Sequence, residues 1–78
     1  MTARFIAYPD GEDFDDWSDG TADGPDAESA AKALMFDMHR AEGADRIIAI
    51  VRAPDGTETR WVATFVVRAT EYSARRTT

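Results

Sequence analysis

The clearest hydrophobic pattern in the chain is helical. One series of apolar residues recurs at helical spacing and falls on a single stripe, with Met35 at its edge; the series is Ala27, Ala30, Ala31, Leu34, Met38 and Ala41. Pro25 suits a first turn, and either Asp23 or Gly24 is placed to cap it. Gly43 follows the last periodic residue, where a helix commonly ends. The pattern predicts a helix over about residues 25–42.

Three other runs have the pattern of β-strands. Residues 4–8 are a short β-type run closed by the turn Pro9-Asp10-Gly11. Residues 46–53 are apolar on both faces and rich in β-branched side chains, which predicts an interior strand. Residues 59–69 alternate, and residues 54–57 (Pro-Asp-Gly-Thr) join these two runs as a hairpin. The set predicted to face the helix is Trp61, Ala63, Phe65, Val67 and Ala69, and the opposite set is Arg60, Val62, Thr64, Val66 and Arg68.

Residues 13–18 permit two interpretations. They form either a strand that pairs back on the first one or an irregular loop, because acidic residues lower the β propensity that Phe14 and Trp17 raise. The polar residues 73–78 are expected to be a flexible tail.

Together the patterns predict one α+β domain over residues 1–72. Its single helix packs on a three- or four-stranded, mainly antiparallel sheet, in the order β-(β)-α-β-β. The domain then consists of an acidic loop or hairpin over 9–24, the helix, and a strand hairpin over 46–69.

Length and composition narrow the class of protein. A chain of 78 residues has room for one modest core, and a hydrophobic fraction of 44% excludes wholesale disorder. The absence of cysteine excludes disulfides, thiolate metal sites and thiol nucleophiles. The longest apolar runs, residues 47–51 and 61–67, are too short to span a membrane, and the N-terminal residues lack the apolar core of a signal peptide. We therefore expect a cytoplasmic protein with no membrane partner.

Charge is concentrated in one segment. Residues 9–26 contain eight acidic and no basic residues, a charge of −8. The rest of the chain has nine basic and seven acidic residues, a charge of +2, which together give the net charge of −6. Direct binding to nucleic acid needs clustered Lys and Arg, so this distribution argues against it. It favours a basic protein surface or a cation as the partner.

Catalytic chemistry has little support in the sequence. The single histidine, His39, falls on the solvent side of the predicted helix together with Glu28 and Lys32, where a surface role is the usual one. No glycine-rich phosphate loop, nucleophile elbow or metal-binding helix motif occurs. We expect no enzymatic activity, no catalytic residue and no cofactor.

Calcium binding is a minor alternative for the acidic segment. Asp15, Asp19, Asp23 and Asp26 occupy the first, fifth, ninth and twelfth positions of an EF-hand-like loop, and its sixth position is a glycine. The third position, which needs a ligand, is a tryptophan, and the twelfth is not the bidentate Glu of such loops. The sequence therefore predicts no metal site.

Aromatic residues among the carboxylates suggest a protein interface. Phe14 and Trp17 lie within the acidic run, and large aromatics commonly anchor interfaces, although both could instead cover one end of the core. Phe36 falls opposite the apolar stripe of the helix. The predicted partner-binding residues are Asp13, Phe14, Asp15, Asp16, Trp17, Asp19 and Phe36. A second candidate surface, suited to dimerisation if the sheet is covered on one side only, carries Arg60, Val62, Val66 and Arg68.

The assembled chain resembles small phage and prophage proteins, among them anti-CRISPR proteins. The resemblance rests on overall form: a short strand, an acidic loop, the alanine-rich helix AESAAKALMFDMHRAEG and a strand pair joined by PDGTE. No invariant motif defines that group, so no residue roles carry over. The resemblance implies a non-enzymatic inhibitor, acting in a bacterial cytoplasm as a monomer or weak homodimer. Its carboxylates would replace phosphates in the basic channel of a CRISPR effector, with a type I complex as the first expectation. The alternative is a small dimerising regulatory or structural module of a phage or toxin–antitoxin system.

Overall fold

The computed structural model describes residues 4–20, 22–66, 68–69 and 71–77. These residues form an α+β domain in which one helix packs on one face of a five-stranded sheet. The elements in chain order are β1 (Phe5–Pro9), a short 3-10 helix (Phe14–Asp16), β2 (Asp23–Gly24), α1 (Ala27–Glu42), β3 (Arg46–Arg52), β4 (Glu58–Val66) and β5 (Glu71–Arg76).

The predicted helix is confirmed, but it begins at Ala27 with a different cap, so Pro25 precedes the helix and does not lie in its first turn. The Oδ1 atom of Asp26 accepts a hydrogen bond from the Ser29 N–H at 2.8 Å, and this bond lowers the pKa of the Asp26 carboxyl. The expectation that Asp23 or Gly24 caps the helix is wrong, because these two residues form β2. Gly43 ends α1 in the left-handed conformation (φ 71°), and its N–H donates to the His39 carbonyl at 3.0 Å.

The sheet is antiparallel throughout, with strand order β2-β1-β3-β4-β5. β3 lies at its centre, as its two apolar faces predict. The predicted hairpin between β3 and β4 is also confirmed: the Ala53 N–H donates to the Thr57 carbonyl at 2.8 Å. Asp55 Oδ1 accepts from the Thr57 N–H at 2.9 Å, and this bond lowers the pKa of Asp55.

The expectation of three or four strands is wrong, because the sheet has a fifth strand. Residues 71–76 pair with β4 in a register that runs from Val66 opposite Glu71 to Trp61 opposite Arg76, so residues 73–76 of the predicted flexible tail belong to a strand. This pairing supplies backbone partners for the nine-residue β4, which would otherwise be a long open edge. Of the two interpretations of residues 13–18, the strand is wrong, because their centre forms the 3-10 helix. The second strand along the chain is the two-residue β2.

The end of β4 also differs from its predicted length. Arg68 and Ala69 lie in an exposed turn beyond the last strand residue, Val66. They therefore do not continue the two alternating faces, and the predicted position of Val67 lies outside the described residues.

The core between α1 and the sheet is built mostly from alanine. Its fully buried side chains are Ala7, Ala22, Ala30, Ala31, Leu34, Met35, Ala49, Val51 and Ala63. Small side chains let the helix approach the sheet closely, so added volume here has little room. Trp61 packs against this core as predicted. Ala41, which is predicted to lie on the same stripe, is exposed.

α1 covers only one face of the sheet. The other face, called the outer face below, carries half-buried aliphatic side chains from three strands: Ile6, Ile48, Ile50, Val62 and Val66. Among the described residues, no helix combines the length and the apolar character needed to cross a membrane.

Candidate functional site: an acidic loop and the groove beside it

The acidic loop, defined as residues 10–20, crosses one end of the sheet between β1 and β2. Backbone hydrogen bonds fix the loop to the sheet at both of its ends. The Asp10 N–H donates to the Ile48 carbonyl at 3.0 Å, and just beyond the loop the Ala22 carbonyl accepts from the Ala7 N–H at 2.9 Å. Between these points Phe14 and Trp17 turn to opposite faces of the sheet.

Phe14 is anchored on the outer face. Its ring meets the Tyr8 ring edge to face, with the ring centres 5.7 Å apart. The guanidinium carbon of Arg52 lies 3.8 Å from the centre of the Phe14 ring, a cation–π contact that holds the loop to β3. Phe14 is therefore part of the folded domain and holds the carboxylates on either side of it at the surface.

Glu58 organises the polar part of this anchor. Its Oε2 accepts a hydrogen bond from the Tyr8 hydroxyl at 2.6 Å and one from Arg52 Nε at 3.0 Å. The bond from Tyr8 is the main reason that the pKa of Glu58 is lowered, with Arg52 adding to it. Burial, followed by the bond to Glu58, raises the pKa of the Tyr8 hydroxyl to about 12.

Trp17 lies on the face that α1 covers. It packs against the alanine-rich core, and it also lines a groove with the C-terminal half of the helix. The groove has a volume of about 560 Å³. Its lining residues are Glu12, Trp17, Asp37, Met38, Arg40, Ala41 and Glu42. Trp17, Met38 and Ala41 provide its apolar surface, and three carboxylates surround them.

The carboxylates of the domain divide into two groups. Several are neutralised within the fold: Asp10 pairs with Arg60 at 3.3 Å, and Asp23 pairs with Arg4. In contrast, seven carboxylates form no ion pair or side-chain hydrogen bond with any residue in the described ranges; they are Glu12, Asp13, Asp15, Asp16, Asp37, Glu42 and Glu71. All except Glu71 lie in the acidic loop or on the groove. We call these six residues, together with Trp17, the acidic flank.

Phe36 belongs to a different part of the molecule. Its ring contacts Tyr72 on β5, with centres 5.4 Å apart, whereas the acidic loop joins strands near the opposite edge. Tyr72 also contacts Phe65 and His39, and the His39 and Phe65 rings stack at 4.1 Å. We call these four residues the aromatic cluster. Phe36 is its most exposed member, with 41% of its surface accessible.

His39 is held within this cluster. Its Nδ1 lies 3.0 Å from the Ala44 carbonyl and 3.9 Å from a carboxylate oxygen of Asp45. The ring thus packs at the end of α1 and is half-buried, where the sequence predicted a solvent-exposed position. The contacts give His39 a structural role at the helix terminus.

The structure brings together most of the residues predicted to bind a partner. Asp13, Asp15, Asp16 and Asp19 are exposed on one loop, and Phe14 and Trp17 are half-buried beneath it. Phe36 lies apart from this group. The four positions of the EF-hand-like pattern are dispersed, since Asp26 caps α1 and Asp23 pairs with Arg4. Within the described ranges, no group of three or more potential metal ligands converges.

The groove was missed at the level of sequence. The sequence pattern places Met38 and Ala41 on the core stripe, and it does not distinguish Asp37 and Glu42 from other surface charges. The one local signal for the groove is that Asp37 and Ala41 are four residues apart and therefore lie on the same side of α1. The packing of Trp17 against that side is a long-range contact that periodicity does not reveal.

Family models, curated proteins and solved structures give no match to this chain.

Proposed function

We propose that this chain is a non-enzymatic inhibitor that binds a basic, nucleic-acid-binding surface of a protein partner through its acidic flank. The first candidate partner is a type I CRISPR effector complex, in which the chain would block DNA recognition as anti-CRISPR proteins do. The observation that carries this proposal is the position of the unpaired carboxylates: six of the seven among the described residues lie in the acidic loop or on the groove beside it.

Electrostatics support a basic partner. Unpaired like charges near one another repel, and this repulsion lowers the stability of the free domain. A basic surface would relieve the repulsion and gain favourable charge pairs, in the same way that a nucleic-acid channel binds phosphates. The loop carboxylates Asp13, Asp15 and Asp16 are exposed and available for such contacts.

The anchoring of the loop supports a defined interface. Because Phe14 is held between Tyr8 and Arg52, the 3-10 helix that carries Asp15 and Asp16 has a fixed position on the domain. A pre-positioned loop loses less conformational entropy on binding than a flexible acidic tail does. In this proposal Phe14 positions the loop carboxylates and does not itself contact the partner, whereas Trp17 lines the groove and can contact the partner.

The test is inhibition of target-DNA binding by a purified type I effector complex. Wild-type protein should inhibit, and the Asp15→Lys/Asp16→Lys variant should inhibit about ten-fold less or worse, because two attractive contacts become repulsive. Raising NaCl from about 0.1 M to 1 M should also weaken binding, since the Debye length falls from about 10 Å to about 3 Å.

The matched control is Asp45→Lys/Glu71→Lys, which changes the net charge equally but lies outside the acidic flank. It should inhibit as the wild type does, and both variants should keep the wild-type circular dichroism spectrum. Equal loss in the two variants would show that net charge alone matters. No inhibition by the wild-type protein would reject the effector complex as the partner.

A second candidate function, a dimerising module, is favoured by one observation. α1 leaves the outer face uncovered within the described residues, and this face carries Ile48, Ile50 and Val62 at its centre. Val62 and Val66 of the predicted dimer surface lie on it, as does Arg60, but Arg68 lies in the turn beyond β4. Light scattering over a wide range of concentrations distinguishes the two functions. A dimer that persists in Asp15→Lys/Asp16→Lys and dissociates in Val62→Lys would favour this candidate.

A further inference from the structure

We infer that the groove beside Trp17 binds an arginine side chain of the basic partner segment. This inference rests on the proposed function and specifies the chemistry of the contact. The groove volume of about 560 Å³ lies within the range of about 300–1,000 Å³ that is usual for ligand-binding clefts. It can therefore hold an arginine together with flanking residues of the segment that carries it.

The charges of the groove favour a cation. Glu12, Asp37 and Glu42 line it, and their side-chain carboxylates form no ion pair or hydrogen bond with a described residue. Glu42 is also the last residue of α1, where the negative end of the helix dipole adds to the field of the carboxylates. Carboxylates at this end of a helix are unfavourable in the free protein, and a bound cation would compensate for them.

The cation already present in the lining does not neutralise the groove. The guanidinium carbon of Arg40 lies 5.3 Å from the centre of the Phe36 ring, which holds this side chain toward the aromatic cluster. Arg40 forms no ion pair with a described carboxylate. The position between Trp17 and the three carboxylates therefore remains available to a guanidinium from another protein.

Trp17 favours arginine over lysine. A guanidinium is planar, so it can stack on an indole face while it donates paired hydrogen bonds to carboxylates, whereas an ammonium acts as a point charge. The apolar stem of an arginine would lie along Met38 and Ala41. The indole N–H of Trp17 donates no hydrogen bond to any described residue, whereas Trp61 Nε1–H donates to Thr59 Oγ1 at 2.8 Å.

The two tryptophans permit a direct test. The ¹⁵N-labelled chain is titrated with acetyl-triarginine amide and, separately, with acetyl-trilysine amide, and the two indole N–H resonances are followed. Trp61→Phe assigns the peaks. We expect triarginine to shift the Trp17 resonance in a saturable manner and to leave the Trp61 resonance unchanged. Trilysine should bind about three-fold more weakly, because it loses the stacking contact.

Matched charge variants locate the contact. Glu12→Gln/Asp37→Asn/Glu42→Gln removes the groove charges, and Asp13→Asn/Asp15→Asn/Asp16→Asn removes three loop charges, so each raises the net charge from −6 to −3. The groove variant should bind triarginine about ten-fold more weakly, whereas the loop variant should change binding by about two-fold or less. Urea unfolding checks that both variants remain folded.

The outcomes separate this inference from the proposed function. Equal weakening in both variants, or equal affinity for triarginine and trilysine, would overturn the arginine site and leave the acidic flank as a binding surface. The arginine site would also be overturned if triarginine did not shift the Trp17 resonance although the protein still inhibited the effector complex. Failure of the wild-type protein to inhibit the effector complex would reject that partner whatever the peptide does.

Discussion

On the β5 side of α1 four rings pack against one another, whereas the acidic loop and the groove beside Trp17 carry six carboxylates that have no partner among the described residues. The aromatic cluster ties the helix end to the last two strands, and its contacts are satisfied within the fold. The acidic flank instead has three carboxylates on the groove and three on the exposed part of the acidic loop. We expect the aromatic cluster to contribute to stability, and we propose that the acidic flank binds a partner. Substitutions in the two regions should therefore change different properties.

The largest expected effect is on the aromatic cluster. Phe65→Ala removes the ring that stacks on His39 and contacts Tyr72, and should lower the free energy of unfolding by roughly 2–4 kcal/mol. Urea unfolding followed by circular dichroism measures the loss. Phe36→Ala, on the exposed rim of the same cluster, is the control and should lower the free energy of unfolding by about 1 kcal/mol. If Phe65→Ala cost no more than Phe36→Ala, the cluster would not be the stabilising flank.

The anchor of the acidic loop should respond to alkaline pH. The pKa of Tyr8 is raised in the folded protein to about 12, from about 10 in an unfolded chain. A raised pKa favours the neutral form, so its contribution is complete below about pH 10 and is lost as pH rises toward 12. We expect a loss of roughly 1–3 kcal/mol across this window, measured by urea unfolding at a series of pH values. In Tyr8→Phe the free energy of unfolding should fall less over the same pH range. An equal fall would show that ionisation of Tyr8 is not the cause.

On the acidic flank, removing charge should leave stability unchanged or raise it. Asp13→Asn/Asp15→Asn/Asp16→Asn relieves repulsion without breaking an ion pair in the described residues. We expect a gain of about 0.5 kcal/mol or less at low salt, which 1 M NaCl should abolish by screening. Asp23→Asn is the control, because it removes the partner of Arg4 and should lower stability slightly. A clear loss of stability in the loop variant would show that its carboxylates support the fold.

The elements with local signals could be predicted from the sequence. α1 follows from its apolar stripe and from the stop at Gly43, and β3 follows from a β-branched run that is apolar on both faces. The hairpin to β4 follows from its Pro-Asp-Gly-Thr turn. These features depend on residues close together in the chain, where propensity and periodicity are informative.

The remaining elements depend on long-range contacts. In β5, Tyr72 and Ala74 turn toward α1, but the polar residues between and after them conceal the alternation, and only the long edge of β4 makes the strand favourable. The groove arises in a similar way. Trp17 reaches the C-terminal half of α1 across about twenty residues of chain, so neither segment alone indicates it. The charge of the site was evident in the sequence, and its shape was not.

The most direct test of the acidic flank as the binding surface is a map of where a basic ligand contacts the folded chain. Amide chemical shifts of the ¹⁵N-labelled protein are recorded during titration with nona-arginine, a probe for a basic protein surface. If the acidic flank binds the partner, the perturbed amides should cluster in residues 12–19 and 37–42, while Tyr72 and its neighbours on β5 should not change. Perturbation centred on the aromatic cluster, or spread evenly over the domain, would contradict the claim that the acidic flank is the binding surface.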